Sequence, residues 1–328
     1  MKYHYAVAAI AVSFVVPLPV IAQDTATKQI AARTELHSIP SLTLTDEQFL
    51  KGDAGGKPVV VSGHLRIAQG SGRLPVVVMI HGSGGMGPNI DLWTKEFNEM
   101  GVSTFALDGF TGRGLTSVNT DQALLGRLNM ILDVYRILDI LAKHPRADPS
   151  RIALMGFSRG GQAALFASLK RFHQSWNKSG IDFAAYIPFY PDCMTTYQSD
   201  TDVTDRPIRI FHGTPDDYNP VARCKAYVER LRGAGRNVLL TEYPNAAHAF
   251  DNPLGSLTPS VVKNAQTVRG CTIREEATGR LINAATSQVF TYQDSCVERD
   301  PHVGHDPAAT QAARQSVKDV IKTVFKLN

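Results

Sequence analysis

The sequence RIALMGFSRGG, residues 151–161, decides the fold of this chain. After one arginine it continues as an apolar run to residue 155, which is typical of a strand buried on both faces of a parallel sheet. The motif Gly156-Phe157-Ser158-Arg159-Gly160 follows directly. A G-x-S-x-G motif between a buried strand and a helix holds its serine in a strained turn that projects the hydroxyl above the sheet. The motif therefore predicts a nucleophile at Ser158, the alternative being an ordinary glycine-rich turn.

The rest of the chain alternates predicted strands with predicted helices. Strands are predicted over residues 59–67, 76–80, 102–107, 151–155, 184–189, 208–212 and 238–243. Helices are predicted over residues 121–143, after the serine motif to about residue 172, over 220–232 and at the C-terminal end. This alternation predicts an α/β fold with a mostly parallel central sheet, helices on both faces, and ligands at the carboxyl ends of the strands.

The domain boundaries are predicted from the points at which the alternation of strands and helices begins and is interrupted. We expect one α/β domain over residues 58–328, preceded by a polar, partly ordered lead-in over residues 23–57. Residues 258–300 interrupt the alternation and form an insertion bracketed by cysteines. The segments between the predicted strands are too short for a large helical cap domain.

The composition excludes several classes of protein. The 328 residues are 43% hydrophobic and 20% charged, which excludes a disordered, collagenous or coiled-coil chain. The formal net charge is only +4, and the positive residues are scattered rather than clustered. No nucleic-acid partner is therefore expected.

The first 22 residues have the pattern of a signal peptide. Lys2 precedes an apolar run over residues 6–16, and Val20-Ile21-Ala22 resembles a cleavage site. The run is too short to cross a bilayer comfortably, although a retained N-terminal anchor is the alternative. The pattern predicts an exported protein, periplasmic or secreted, with no membrane span after cleavage.

The chain has four cysteines, all in its second half: Cys193, Cys224, Cys271 and Cys296. An even number in an exported chain favours disulfides, and pairing of neighbours predicts Cys193–Cys224 and Cys271–Cys296. The alternative is four free buried thiols. No C-x-x-C motif is present, which disfavours a redox or zinc centre.

A serine nucleophile needs a base that is oriented by an acid. In a sheet of this kind the chain order is serine, then aspartate or glutamate, then histidine. The strand at 208–212 leads to Asp216 and Asp217, and the strand at 238–243 leads to His248. We therefore predict His248 as the base and Asp216 as the orienting acid, with Asp217 as the alternative acid.

Acyl transfer also requires backbone N–H donors for the oxyanion. One donor is expected to be Arg159, which follows the nucleophile. The second is expected in His81-Gly82-Ser83-Gly84-Gly85, after the strand at 76–80, and is Ser83 or, alternatively, Gly84.

These residues resemble the dienelactone hydrolase-like branch of the α/β-hydrolase superfamily. The resemblance covers about residues 58–255 and the last helix. It rests on HGSGG (81–85), GFSRGG (156–161), His212-Gly213-x-x-Asp216-Asp217 and His248-Ala249-Phe250-Asp251. It implies an α/β-hydrolase sheet and a Ser158–Asp216–His248 triad. It also implies that the loop with Phe110 and Arg113 lines the mouth of the site, which makes these two residues candidate substrate contacts. Gly84 is a third candidate, because the glycines after the strand at 76–80 let the backbone approach the substrate.

The resemblance implies hydrolysis of a carboxylic ester, a lactone or a related acyl bond of a small molecule. The enzymes that name the family use a cysteine nucleophile, whereas this chain carries Ser158. No cofactor and no metal are expected, since the sequence His302-x-x-His305 lacks further ligands. Two alternatives are a peptidase of the prolyl-oligopeptidase type and a non-catalytic binding protein on a hydrolase scaffold.

Overall fold

The computed structural model describes residues 1–4 and 28–327. Apart from its first four residues, the predicted signal peptide lies outside this part of the chain. Among the described helices, none combines the length and the apolar character that crossing a membrane requires.

Eight strands form the central sheet. The strands up to residue 243 are β1 (Arg33–Thr43), β2 (Lys57–Ile67), β3 (Leu74–Ile80), β4 (Ser103–Asp108), β5 (Ala147–Phe157), β6 (Ala185–Phe189), β7 (Thr195–Thr196), β8 (Ile208–Gly213) and β9 (Val238–Tyr243). The order in the sheet is β1-β2-β4-β3-β5-β6-β8-β9, and β7 belongs to a smaller sheet. The pairs β1–β2 and β2–β4 are antiparallel and the rest of the sheet is parallel, so β3, β5, β6, β8 and β9 end at one common edge.

Helices cover both faces of this sheet. They are α1 (Asp46–Lys51), α2 (Pro88–Glu99), α3 (Asn129–Lys143), α4 (Arg159–Phe166), α5 (Lys170–Trp176), α6 (Val221–Gly233) and α7 (Pro307–Phe325). Helices α2 and α7 pack on one face, and α1 with α3 to α6 pack on the other. Successive residues of β3 enter opposite cores: Val78 packs on the α3 side and Met79 on the α7 side. This two-sided burial explains why the strand is a continuous apolar run.

The lead-in is more ordered than the sequence suggests, because it supplies the edge strand of the sheet. Strand β1 pairs with β2 in an antiparallel ladder from Arg33↔Ile67 to Thr43↔Lys57. Much of β1 faces solvent, so it lacks the apolar run of the inner strands. Strand β1, which lies within residues 23–57, is therefore part of the central sheet.

The insertion consists of short strands that are held together largely by side-chain contacts. They are β10 (Ser260–Val261), β11 (Gln266–Thr267), β12 (Ile273–Glu275), β13 (Leu281–Asn283), β14 (Gln288–Val289) and β15 (Glu298–Arg299), and β16 (His302–Val303) follows directly after the insertion. Strand β12 pairs with β7, which joins the insertion to the loop after β6. The Cys271–Cys296 disulfide closes the insertion, and Cys193–Cys224 links the same loop to α6. Both disulfides have the pairing that the sequence favours.

Candidate active site

Ser158 occupies the turn between β5 and α4. Its backbone has φ 55° and ψ −115°, a conformation that costs energy for any residue with a side chain. Two hydrogen bonds hold it: the Ser158 N–H donates to the Phe189 carbonyl at 3.0 Å, and the Gln162 N–H donates to the Ser158 carbonyl at 2.8 Å. The strained turn places the hydroxyl at the carboxyl edge of the sheet.

The glycines of the motif allow this turn to pack closely. A Cβ at Gly156 would lie 2.0 Å from the Gly160 carbonyl oxygen. A Cβ at Gly160 would lie 2.3 Å from the Ile80 carbonyl oxygen on the neighbouring strand. Neither position accepts a side chain, so the motif is needed for helix–sheet packing as well as for the turn.

Three side chains from separate strand ends meet at this edge. His248 Nε2 lies 2.8 Å from Ser158 Oγ, and His248 Nδ1 lies 2.7 Å from Asp216 Oδ2. Asp216 follows β8 and His248 follows β9. A hydrogen on Nδ1 that donates to the carboxylate leaves Nε2 free to accept the serine hydroxyl hydrogen.

Asp216 is buried and held in its ionised form. Its Oδ1 accepts the N–H groups of Tyr218 at 2.9 Å and Asn219 at 2.8 Å. Burial alone would raise the pKa of Asp216, but the charge of His248 and hydrogen bonds from His212 and His248 outweigh this effect. The pKa of Asp216 is therefore well below its ordinary value, which suits an acid that must stay charged beside an imidazolium.

The Asp217 carboxylate binds Arg269 and His302 rather than His248. Its Oδ2 lies 3.1 Å from Arg269 Nη1 and 2.9 Å from His302 Nδ1, and its Oδ1 accepts the His302 N–H at 2.8 Å. Of the two adjacent aspartates that the sequence leaves open, the structure thus brings Asp216 to His248.

The loop after β3 brings Ser83 next to Ser158. A Cβ at Gly82 would lie 3.2 Å from the Cβ of Ser158, which shows how closely this backbone approaches the serine. The Ser83 carbonyl is anchored by the Val118 N–H at 2.8 Å. Ser83 and Arg159 line one small cavity with Ser158, whereas Gly84 lines only a larger cavity.

His81 fixes the start of this loop. Its Nε2 accepts the Gly109 N–H at 3.2 Å, and its Nδ1 lies 2.8 Å from the Gly82 carbonyl oxygen, to which it then donates. Burial lowers the pKa of His81, despite the hydrogen bond to Gly82, so the ring is neutral as this pattern requires. His81 therefore couples the loop after β3 to the loop after β4.

The structure does not bring Phe110 and Arg113 to a cavity beside Ser158. The Arg113 guanidinium binds both carboxylate oxygens of Asp133, at 2.7 and 3.0 Å, and also the Gly109 carbonyl at 2.7 Å. Phe110 is buried with its ring 4.4 Å from the His81 ring. Both residues stabilise the loop after β4 rather than face a substrate.

Two cavities meet at Ser158. The larger, about 380 Å³, is lined by residues 82–89, Asn119, Phe157, Ser158, Tyr190, Tyr218, His248, Ala249, Asn252, Val262 and Val303. The smaller, about 20 Å³, is lined by Ser83, Gln122, Ser158, Arg159, Gln162, Asp192, Tyr218, Asn219, Thr267 and Val268. The insertion contributes walls to both.

Sequence reasoning missed two aromatic residues that hold His248. The Tyr190 and Tyr218 rings lie 4.7 and 4.6 Å from the imidazole. Tyr190 directly follows β6, so the rule that ligands bind at strand ends could have found it. Tyr218 has no such signal, since only the fold of the loop after β8 brings it to the histidine.

Among the described residues, one group has a suitable arrangement for a metal, at the far edge of the sheet: Glu35, His37 and His144. Glu35 Oε2 lies 3.1 Å from His37 Nε2 and 2.9 Å from His144 Nε2. His144 Nδ1 accepts the Arg146 N–H, so its Nε2 carries a hydrogen and donates to Glu35. This pattern is that of a hydrogen-bonded cluster.

His302 and His305, the two histidines of the H-x-x-H sequence, bind different partners. His302 binds Asp217, and His305 Nδ1 lies 2.8 Å from the Phe250 carbonyl oxygen, to which it donates. The two histidines therefore hold the end of the insertion at two different points.

The fold is that of known hydrolases. It is similar to a dienelactone hydrolase-like promiscuous phosphotriesterase, P91, from metagenomic libraries, with a TM-score of 0.54, 16% identity, and coverage of 89% of this chain and 98% of that one. It is also similar to the structure of m3DLH, with a TM-score of 0.57, 18% identity and the same coverage. These similarities and the sheet topology define an α/β-hydrolase fold.

The family follows from the sequence profile of the dienelactone hydrolase family, which matches residues 61–325. The chain belongs to this family. An uncharacterized peptidase, YuxL, of Bacillus subtilis (strain 168) is 24% identical over 267 residues, which cover 66% of this chain and 40% of that protein. Acyl-protein thioesterase 1 of Gibberella zeae is 29% identical over 102 residues, covering 31% and 42% respectively. The matches thus span less than half the length of both curated relatives.

Proposed function

We propose that this protein is an exported serine hydrolase that cleaves a carboxylic ester, a lactone or a related acyl bond through an acyl-enzyme at Ser158. The observation that carries the proposal is the hydrogen-bonded chain from Asp216 through His248 to the Ser158 hydroxyl. Membership of the dienelactone hydrolase family supports hydrolytic chemistry.

In the first half of the reaction, His248 Nε2 accepts the Ser158 proton while the serine oxygen attacks the carbonyl carbon of the substrate. Asp216 stabilises the imidazolium that forms. The oxyanion of the tetrahedral intermediate accepts hydrogen bonds from the backbone N–H groups of Ser83 and Arg159. Arg159 is the first residue of α4, so the helix N-terminus adds a favourable field.

This half ends when His248 donates its proton to the leaving oxygen and the alcohol departs, which leaves the acyl-enzyme. In the second half, a water molecule takes the place of the alcohol, loses a proton to His248 and attacks the acyl carbon. Collapse of this second intermediate returns the proton to Ser158 and releases the acid. No step requires a cofactor.

Export is supported by the cysteines. Cys193–Cys224 and Cys271–Cys296 are the kind of cross-links that persist in oxidising compartments. Together with the apolar N-terminal run, they support a protein of the periplasm or the exterior.

A second candidate activity is peptide hydrolysis, because the similarity to the peptidase from Bacillus subtilis extends over 267 residues. The same triad would attack an amide. Paired p-nitrophenyl ester and p-nitroanilide substrates with one acyl group distinguish the two, and we expect hydrolysis of the ester only.

The proposal is tested by labelling the purified protein with a fluorophosphonate. We expect the wild type to be labelled and Ser158→Ala to remain unlabelled. The matched control is Ser83→Ala, which keeps the backbone N–H assigned to the oxyanion and removes only a hydroxyl. Labelling of Ser158→Ala, or its loss in Ser83→Ala alone, would overturn the assignment.

A further inference from the structure

Two uncharged segments of the chain border the larger cavity at Ser158. Residues 82–89 line this cavity, and residues 253–261 run between Asn252 and Val262, which line it as well. The sequences of the two segments are GSGGMGPN and PLGSLTPSV, and neither contains a charged side chain, although 20% of the whole chain is charged. The surface beside the cavity is therefore bordered by segments that lack charge.

Four large apolar side chains on these segments face solvent. The exposed fractions are 81% for Leu254, 72% for Leu257, 51% for Val261 and 41% for Met86. A single exposed leucine is ordinary on a protein surface, but exposed apolar side chains that are grouped beside a cavity typically mark a binding surface. This grouping indicates that an apolar partner binds here.

Backbone hydrogen bonds hold residues 253–261 in place beside the catalytic histidine. The His305 N–H donates to the Ser256 carbonyl at 2.8 Å, and the Gly304 N–H donates to the His248 carbonyl at 3.0 Å. Two adjacent residues thus connect the segment to the backbone of His248. Because the backbone is held in this way, the apolar side chains stay in water, and only an apolar partner can remove the free-energy cost of that exposure.

The position of these side chains favours an ester phase over a protein partner. A protein bound over both segments would cover the cavity and exclude substrate from Ser158. The surface of an ester droplet would instead bury the apolar side chains and bring the ester to the cavity in one step. The second segment is followed by a single basic residue, Lys263, whereas attraction to anionic lipid depends on clusters of basic residues. An uncharged ester phase therefore fits this surface best.

We propose that this enzyme acts on uncharged, water-insoluble esters at the surface of their own droplets, and that Leu254 and Leu257 bind that surface. The proposal rests on the proposed function and adds to it the physical state of the substrate. Binding to the droplet comes first, and hydrolysis then follows at Ser158 as described above.

The test compares tributyrin, which forms droplets above its solubility limit, with p-nitrophenyl butyrate in solution. Both esters carry the butyryl group, so the acyl half is the same. We expect the wild-type rate on tributyrin to rise steeply once droplets form, rather than to level off at the rate reached with dissolved ester. A tributyrin rate that does not rise when droplets form, from a protein that hydrolyses dissolved p-nitrophenyl butyrate, would overturn this inference and leave the proposed function intact. A protein that neither takes up the fluorophosphonate label nor hydrolyses either ester would instead overturn the proposed function.

A double substitution locates the surface that binds the droplet. Leu254→Asp/Leu257→Asp places two carboxylates on it, and we expect the rate on tributyrin droplets to fall at least about tenfold, since burial of one leucine side chain strengthens binding by roughly that factor or more. The rate on dissolved p-nitrophenyl butyrate and the labelling of Ser158 should stay unchanged. Thermal unfolding checks that the double variant is folded; if it is not, the wild-type comparison of the two esters still decides the proposal.

The matched control is Leu36→Asp. Leu36 is 78% exposed but lies on β1, at the opposite edge of the sheet from β9, so its substitution should leave both rates unchanged. An equal loss in Leu36→Asp, or no loss in the folded double variant, would overturn the role of Leu254 and Leu257. A wild-type dimer that dissociates in the double variant would show that a second copy of the chain covers these leucines, and would overturn it as well.

Discussion

The carboxyl edge of the central sheet and the insertion after β9 reach the same site by different means. At the sheet edge, Ser158, Asp216 and His248 each follow a strand, and parallel pairing of those strands brings them together. In the insertion, strands of two or three residues are joined by a disulfide and by bonds such as Arg269–Asp217. Backbone pairing therefore positions the proposed chemistry, while side-chain contacts shape the space for substrate.

The largest effect should come from the sheet edge. Ser158→Ala removes the nucleophile, and we expect kcat for ester hydrolysis to fall by at least about three orders of magnitude. The melting temperature should stay close to that of the wild type, because the turn is held by backbone hydrogen bonds. Steady-state kinetics and thermal unfolding check both. Near-normal activity would contradict the assigned nucleophile.

Two adjacent aspartates allow the sheet edge and the insertion to be tested separately, because Asp216 contacts His248 whereas Asp217 contacts Arg269. Asp216→Asn should lower kcat by roughly three orders of magnitude or more, because an amide cannot hold His248 in the required tautomer. Asp217→Asn should cost less than about tenfold, because it weakens only a half-exposed contact to Arg269 and His302. Kinetics of the two variants compare them directly. The reverse order of severity would move the acid to Asp217.

Lowering the pH should reduce the activity before it unfolds the protein. Protonation of the His248 imidazole removes its acceptor, so kcat/KM should fall by about tenfold per pH unit on the acid side. The lowered pKa of Asp216 means that its contribution to stability is complete above its ordinary pKa and is lost only as the pH falls through the lowered value. Activity should therefore fall with a single ionisation while the protein remains folded. An unchanged rate between roughly pH 5 and pH 8 would contradict a histidine base.

The smallest effect on catalysis should come from the insertion's disulfide. Opening Cys271–Cys296 frees a loop with a sequence separation of 25, which by chain entropy lowers the free energy of unfolding by about 3.5 kcal/mol at most. Denaturant unfolding of the Cys271→Ser/Cys296→Ser variant measures this loss. The variant should still label at Ser158, since the triad lies on the sheet edge. Four titratable thiols in the unreduced wild-type protein would exclude both disulfides.

Much of the sheet could be predicted because its signals are local. The apolar run of β3 and the strand–turn–helix sequence around Ser158 each indicate their structure within about ten residues. Strand β1 has no such signal, because it faces solvent along much of its length and resembles a loop in sequence. The family resemblance predicts Arg113 as a substrate contact, but Asp133 on α3 binds its guanidinium.

The sequence alone was enough to predict the α/β order, the family and a short set of candidate site residues that contains Ser158, His248 and two adjacent aspartates. Those features depend on backbone conformation and strand order, which local patterns encode. The tertiary structure was needed to show that Asp216, and not Asp217, lies against His248, that Asp133 binds Arg113, and that the insertion lies against Ser158 with cavities of about 380 and 20 Å³. These outcomes depend on side-chain contacts between segments far apart in the chain, such as Arg269 with Asp217 and Gln122 with Gln266.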